Sequence, residues 1–265
     1  MLRWRTGEAL RFPAGGAELE AHCWGPPPAG APTLVLLHEG LGSVGLWRDF
    51  PAALAAATGW GVFAWSRAGY GRSDPCALPR PLDYLTDEAV RVLPEVLDRI
   101  GLRRGVAVGH SDGATIAALH AGLVGDPRVA AIVLMAPHFF VEPVCLAALA
   151  EVRRAYESGG LRERLARHHD HVDVAFHGWN DAWLDPRRAD WDVRAVLEGI
   201  RVPALAIQGE DDRYGTRAQL AALEQRVPAP VTAAMFGGCG HAPFREQPER
   251  TLGLIAAFLA GLPGG

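Results

Sequence analysis

Cysteine is sparse in this chain, and the few cysteines carry no pattern. Cys23, Cys76, Cys145 and Cys239 are scattered, with neither metal-site spacing nor the density of a disulfide framework. A reducing cytosol is therefore the expected setting, and no metal ligand set is expected. No apolar run approaches the roughly 20 residues that span a bilayer. The opening Met1-Leu2-Arg3-Trp4-Arg5-Thr6-Gly7-Glu8 lacks the apolar stretch of a secretory signal. The expectation is a cytoplasmic protein with no membrane partner. The formal net charge is −4 and there is no basic stripe, which argues against nucleic acid as a partner. Low-complexity linkers and internal repeats are also missing. What is present is an ordinary globular balance: 265 residues, 49% apolar and 21% charged, enough for one large domain or two small ones.

Short apolar runs bounded by turn signals recur along the chain: Leu34-Val35-Leu36-Leu37, Val62-Phe63-Ala64-Trp65, Val106-Ala107-Val108, Ile132-Val133-Leu134-Met135 and Leu205-Ala206-Ile207. Strands buried on both faces of a parallel sheet read this way. Segments of helical spacing lie between them: 52–58, 85–100, 114–124, 216–226 and 249–259. This alternation predicts an α/β sandwich with helices on both faces of a mostly parallel sheet. Ala9–Phe12 and Glu18–Trp24 predict an antiparallel hairpin at the start. From about Phe139 to Gly199 no strand is evident, and the stretch reads as several helices rich in Arg, His and Trp. We expect it to form a helical cap (139–199) on a core made of 1–138 and 200–265.

Gly109-His110-Ser111-Asp112-Gly113 carries the most chemical information. It follows one apolar strand-like run and precedes a helix-like one, the setting of a G-x-S-x-G nucleophile turn. A serine hydroxyl attacks well only when it stands clear of the backbone and a base can take its proton. The flanking glycines let neighbouring backbone pass where a Cβ would collide. Three further segments fall at predicted strand ends, where open α/β sheets build their sites: His38-Glu39-Gly40-Leu41-Gly42-Ser43, Gly209-Glu210-Asp211-Asp212 and Gly238-Cys239-Gly240-His241-Ala242-Pro243.

With serine, acid and histidine in that chain order, the sequence resembles the α/β-hydrolase family over nearly its whole length. Ser66-Arg67-Ala68-Gly69-Tyr70-Gly71-Arg72-Ser73 is similar to that family's turn after the fourth strand. The resemblance implies an eight-stranded sheet and a cofactor-free serine hydrolase. Ser111 is then the nucleophile, His241 the base, and Asp212 the orienting acid, preferred to Asp211 because the family pattern is Gly-x-x-Asp. Glu142 lies too far past its strand to serve as the acid. The oxyanion donors would be the N–H of Asp112 and that of Gly40, with Leu41 as the alternative if a residue has been inserted after His38. The implied reaction is hydrolysis of a small, partly apolar carboxylic ester. The rivals are cleavage of a carbon–carbon bond in a ring-cleavage product, lactone or amide hydrolysis, and a receptor-like binding module with little turnover.

Glu39 and Asp112 would lie near the nucleophile. They either turn away to loop backbone or Arg67, or recognise a polar group of the substrate. Glu39, His138 and Trp179 are the expected substrate contacts, with Trp183 and Trp191 as further aromatic roofing. His110 is expected to pack against the sheet. His168, His169 and His171, with Asp170 and Asp173, resemble part of a metal motif, but Val174 stands where the last histidine belongs; a solvated cap helix is the expectation there. The expected partner is a small-molecule substrate, and the sequence leaves a homodimer open.

Overall fold

A computed structural model of the chain describes residues 2–263. Its strands are β1 (Ala9–Ala14), β2 (Ala17–Trp24), β3 (Thr33–Leu37), β4 (Gly61–Trp65), β5 (Gly105–His110), β6 (Val129–Met135), β7 (Ala204–Gly209) and β8 (Val231–Phe236). They form one eight-stranded sheet in the order β1-β2-β4-β3-β5-β6-β7-β8. The hairpin β1–β2 and the pair β2–β4 are antiparallel, and every other pair is parallel. The central strands β3, β4, β5 and β7 are buried throughout. Their unbroken apolar runs follow from this, because both faces are covered. Leu34 and Leu36 face one helical layer, while Val35 and Leu37 face the other.

The helices are α1 (Phe50–Thr58), α2 (Tyr84–Asp87), α3 (Leu93–Ile100), α4 (Asp112–Leu123), α5 (Pro143–Ser158), α6 (Leu161–Leu165), α7 (Val172–Leu184), α8 (Arg217–Arg226), α9 (Pro243–Glu246) and α10 (Pro248–Ala260). A π turn at Glu88–Val92 joins α2 to α3, so the expected helix over 85–100 is continuous but irregular. Leu54 of α1 and Ile255 of α10 pack on one face of the sheet; Val96 of α3, Ile116 of α4 and Leu223 of α8 pack on the other. Every residue of α4 from Asp112 to Ala121 is buried. Its small residues on all sides suit a helix enclosed on every face. Among the described residues no helix is long and apolar enough to cross a membrane.

Between β6 and β7 the chain forms α5, α6 and α7, with single turns at Pro186–Arg188 and Arg194–Gly199, as the sequence predicts for this stretch. The Tyr156 and Phe176 rings stack at 3.6 Å, and Asn180 ties α7 to α5 through Leu149 O and Arg153. The predicted solvated helix around His168–His171 is not formed. This stretch is a turn between α6 and α7, and His169 is only 2% exposed. Its Nδ1 accepts from Gly71 N–H and its Nε2–H donates to Leu41 O, so it latches the insertion to two core loops. His168, Asp170 and His171 of this run reach solvent.

The turn between β5 and α4 is tightly closed. Ser111 has φ 52° and ψ −118°, a conformation a non-glycine residue adopts only under strain. The strain is held because the backbone closes on both sides. A Cβ on Gly109 would lie 2.2 Å from Gly113 O, and one on Gly113 would lie 2.0 Å from Leu37 O. The first cannot give way without moving the start of α4, nor the second without moving β3. Gly113→Ala is therefore expected to destabilise the fold by about 3 kcal/mol or more, the upper end for overpacking. A urea-melt midpoint equal to that of the parent would contradict this.

Candidate active site

Ser111, Asp212 and His241 come from three strand ends. Ser111 stands in the strained turn after β5, Asp212 three residues past β7, and His241 five residues past β8. β7 and β8 pair in parallel up to Gly209 and Phe236, so their following loops emerge side by side. His241 Nδ1–H donates to Asp212 Oδ2 over 2.8 Å. Gln208 Nε2 donates to the same oxygen, and Tyr214 N–H to Oδ1. Burial pushes the Asp212 carboxyl up. The hydrogen bond and charge of His241, with the Tyr214 N–H, outweigh this and leave it below the usual carboxylate range. Asp211 is exposed, and its N–H is bonded to Cys239 O. Glu142 accepts from Thr216 and Gln219 at the start of α8.

Ser111 and His241 line one cavity of about 120 Å³, together with Glu39, Gly40, Leu41, Asp112 and His138. The rest of its wall is Cys145, Leu149, Trp179, Trp183 and Tyr214. Of the candidate residues, Asp212 lies behind His241 rather than in this wall, and Trp191 does not line it. Among the described residues Ser111 Oγ bonds to no protein group, His241 included, so it is free to turn towards the base. Sequence reasoning missed Cys145, Leu149 and Tyr214. Tyr214 lies two residues past Asp212, which was the available signal; the other two sit on α5 with nothing to mark them.

The loop after β3 is held from behind. Arg67, 1% exposed, donates to His38 O over 2.6 Å and to Glu39 O over 3.0 Å. His38 Nε2 accepts from Arg67 N–H, so its Nδ1 carries the proton and donates to Glu39 O. The loop's carbonyls therefore point towards Arg67. Among the described residues the N–H groups of Gly40 and Leu41 find no acceptor, and neither does that of Asp112 at the first turn of α4.

The two carboxylates beside Ser111 behave differently. Asp112 is buried and accepts from Tyr84 Oη (2.5 Å) and Trp183 Nε1 (3.1 Å). Glu39 Oε2 faces His110 Nδ1 at 3.4 Å. Arg67 meets the backbone of this loop rather than either carboxylate. His110 does more than pack: its Nε2–H donates to His241 O over 2.8 Å. Burial pushes Glu39 up, yet the hydrogen bond and charge of His110 bring it down to about 2. His138 stacks obliquely 5.8 Å from His241 and 5.7 Å from Trp183. Desolvation, then the charge of His241, hold it down at about 3, so it meets the cavity as a neutral ring.

A mostly parallel sheet with a strained serine turn, an acid–histidine pair on two later strand ends and helices inserted over them define a hydrolase of the α/β class. Residues 34–254 match the alpha/beta hydrolase family, and the chain belongs to it. The protein is a hydrolase by that membership. It is 30% identical to the 2-hydroxy-6-oxononadienedioate/2-hydroxy-6-oxononatrienedioate hydrolase of Paraburkholderia phymatum, over 96% of each chain. The enol-lactonase of Burkholderia xenovorans LB400 superposes with a TM-score of 0.72 at 22% identity, covering 95% of this chain and 100% of that one. Carboxylesterase CesB of Bacillus subtilis does so with a TM-score of 0.73 at 23% identity, covering 96% and 92%. These two likenesses concern the fold.

His38, His120, His138 and His169 are all held below the ordinary imidazole range, chiefly by burial. The unfolded chain binds protons that the folded chain refuses once pH falls below about 6.5. The stability they allow is complete above that value. It is lost progressively as pH drops towards the folded values, about 3 for His138 and about 4 for His169. Urea unfolding at pH 5 should show a lower midpoint than at pH 7, with uptake of about three protons through these rings. Equal midpoints at the two pH values would contradict their neutral burial.

Proposed function

We propose that the protein hydrolyses a small, partly apolar carboxylic ester through an acyl-serine intermediate, with Ser111, His241 and Asp212 as its triad. The observation that carries this is the single cavity of about 120 Å³ onto which Ser111, His241 and the free N–H groups of the Gly40 loop open, with a largely apolar wall. A dry cavity of about 150 Å³ accepts benzene, so an acyl group of a few carbons fits and a long chain does not. The helical segment 139–199 acts as the cap that closes this space.

The chemistry follows from the hydrogen bonds. Asp212 accepts the Nδ1–H of His241, which leaves the Nε2 lone pair for the serine. Nε2 takes the Ser111 proton as Oγ bonds to the ester carbon, and the carbonyl π pair moves onto oxygen. That oxyanion is met by N–H donors of Asp112 and of Gly40 or Leu41, each worth about 3 kcal/mol of barrier. As the tetrahedral species collapses, the C–O bond to the alcohol breaks and the departing oxygen takes the proton from His241. Water then gives a proton to Nε2 and attacks the acyl carbon. The second collapse returns the proton to Ser111 and frees the acid. One ester and one water become one acid and one alcohol.

A second reading, cleavage of a carbon–carbon bond in a ring-cleavage product, is favoured by the 30% identity to a dienedioate hydrolase along nearly the whole chain. Assays on p-nitrophenyl esters should give the highest kcat/KM at two to four acyl carbons and a steep fall by eight. Ser111→Ala should lower kcat at least about 10⁴-fold, and a fluorophosphonate should label Ser111. Preference for long chains, or an unlabelled Ser111, would contradict the ester reading. Negligible ester turnover with fast turnover of a dienedioate would replace it with the second.

A further inference from the structure

Trp179 holds an indole N–H that the protein itself does not use. Trp4 Nε1 donates to Gly25 O, and Trp183 Nε1 to Tyr84 Oη and Asp112 Oδ1, whereas the indole N–H groups of Trp47 and Trp65 are sealed in the core without an acceptor. Among the described residues Trp179 Nε1 finds no acceptor, though the residue is only 9% exposed and lines the cavity with Ser111. It is not among the polar atoms sealed off inside the protein, so it keeps some exposure, and its residue lines the cavity. Its position is specific. A Cβ added to Gly40 would lie 1.9 Å from Trp179 Nε1 and 2.3 Å from Cδ1. The indole edge therefore fills the space beside the Gly40 Cα, and Gly40 lines the same cavity.

The geometry points to Trp179 Nε1–H as a third donor to the oxyanion, supplied by the inserted helix α7. We infer this on top of the serine-hydrolase reading above. Two features favour it physically. The donor is neutral and set in an apolar wall, where a hydrogen bond to developing charge is strengthened by the low local dielectric. It is also pre-oriented. Trp183 lies four residues along the same helix face, and its own N–H is tied to Asp112, the residue after the nucleophile. Asn180, between them, anchors α7 to Leu149 O. One helix thus sets two indoles against the two loops that flank Ser111. In this arrangement Trp179 is a catalytic residue, and the absence of a side chain at Gly40 is what admits it.

The test compares Trp179→Phe, Trp179→His and Gly40→Ala with the parent, using p-nitrophenyl butyrate and butylboronic acid, which forms a tetrahedral adduct with a serine nucleophile. Trp179→Phe keeps an aromatic ring but removes the donor. It should lower kcat about ten- to hundredfold, below the full effect of losing a backbone-type donor, with KM changed less than about threefold. Boronate affinity should fall by the same factor as kcat. Trp179→His restores a ring N–H and should recover part of both. Gly40→Ala displaces the indole without altering α7 and should lower both. If Trp179→Phe folds, and kcat and boronate affinity stay within twofold of the parent, the inference is overturned. If Trp179→Phe fails to fold, unchanged kcat and boronate affinity in Gly40→Ala overturn it instead. If Ser111→Ala leaves the parent's activity intact, the serine reading itself fails, and this inference falls with it.

Discussion

The hydrogen bond from His241 to Asp212 is the contact on which the rest of the site depends. It joins two loops that share nothing in sequence but leave adjacent parallel strands together. A buried carboxylate is tolerable only when its lone pairs are met. Here Gln208, Tyr214 and His241 meet them, and Gln208 is itself anchored to Gly215 O. The result is a carboxylate with one fixed direction and therefore an imidazole with one fixed tautomer. The same histidine is held from its other side, since its backbone carbonyl accepts from His110 in the strand that delivers Ser111. The strand before Ser111 and the loop of His241 are thus bonded directly.

Around that contact the protein arranges a division of labour between backbone and side chain. Arg67 and His38 draw the carbonyls of the Gly40 loop away from the cavity, which leaves N–H groups facing it. The buried Arg67 charge lies over the Tyr70 ring at 5.1 Å and is bonded to two carbonyls. This converts an expensive burial into a lock on loop orientation. The inserted helices supply the apolar wall, and His169 and Trp183 bind them to the same loops. The insertion is therefore part of the site's construction. The strain stored at Ser111 persists because Gly109 and Gly113 allow the surrounding backbone to close over it.

Much of this was legible from residues alone, for identifiable reasons. Strands buried on both faces leave unbroken apolar runs, so β3 to β7 stand out. The serine turn has a local signature because its two glycines are required by backbone contacts. Asp212 is separated from Asp211 by counting from Gly209, and the structure places the first inside and the second outside. What escaped notice depends on distant pairings. His169 belongs to a polar run, yet a break between α6 and α7 turns it under Gly71. Glu39 and His110 are 71 residues apart, and Asp112 meets Tyr84 and Trp183 from two other elements. No local pattern announces such partners, because each is chosen by where the chain returns. Cys145 and Leu149 face the cavity through the placement of α5, and their residue types fit an ordinary core equally well.

The most direct test of the account is a crystal structure of the protein after reaction with a small alkyl phosphonate. The account predicts a phosphorus bonded to Ser111 Oγ, with one phosphonyl oxygen within about 3.1 Å of Asp112 N and of a backbone nitrogen from the Gly40–Leu41 pair, while His241 Nε2 faces the Ser111 oxygen. An adduct on another side chain, or a phosphonyl oxygen turned away from those nitrogens with His241 withdrawn from the serine, would contradict it.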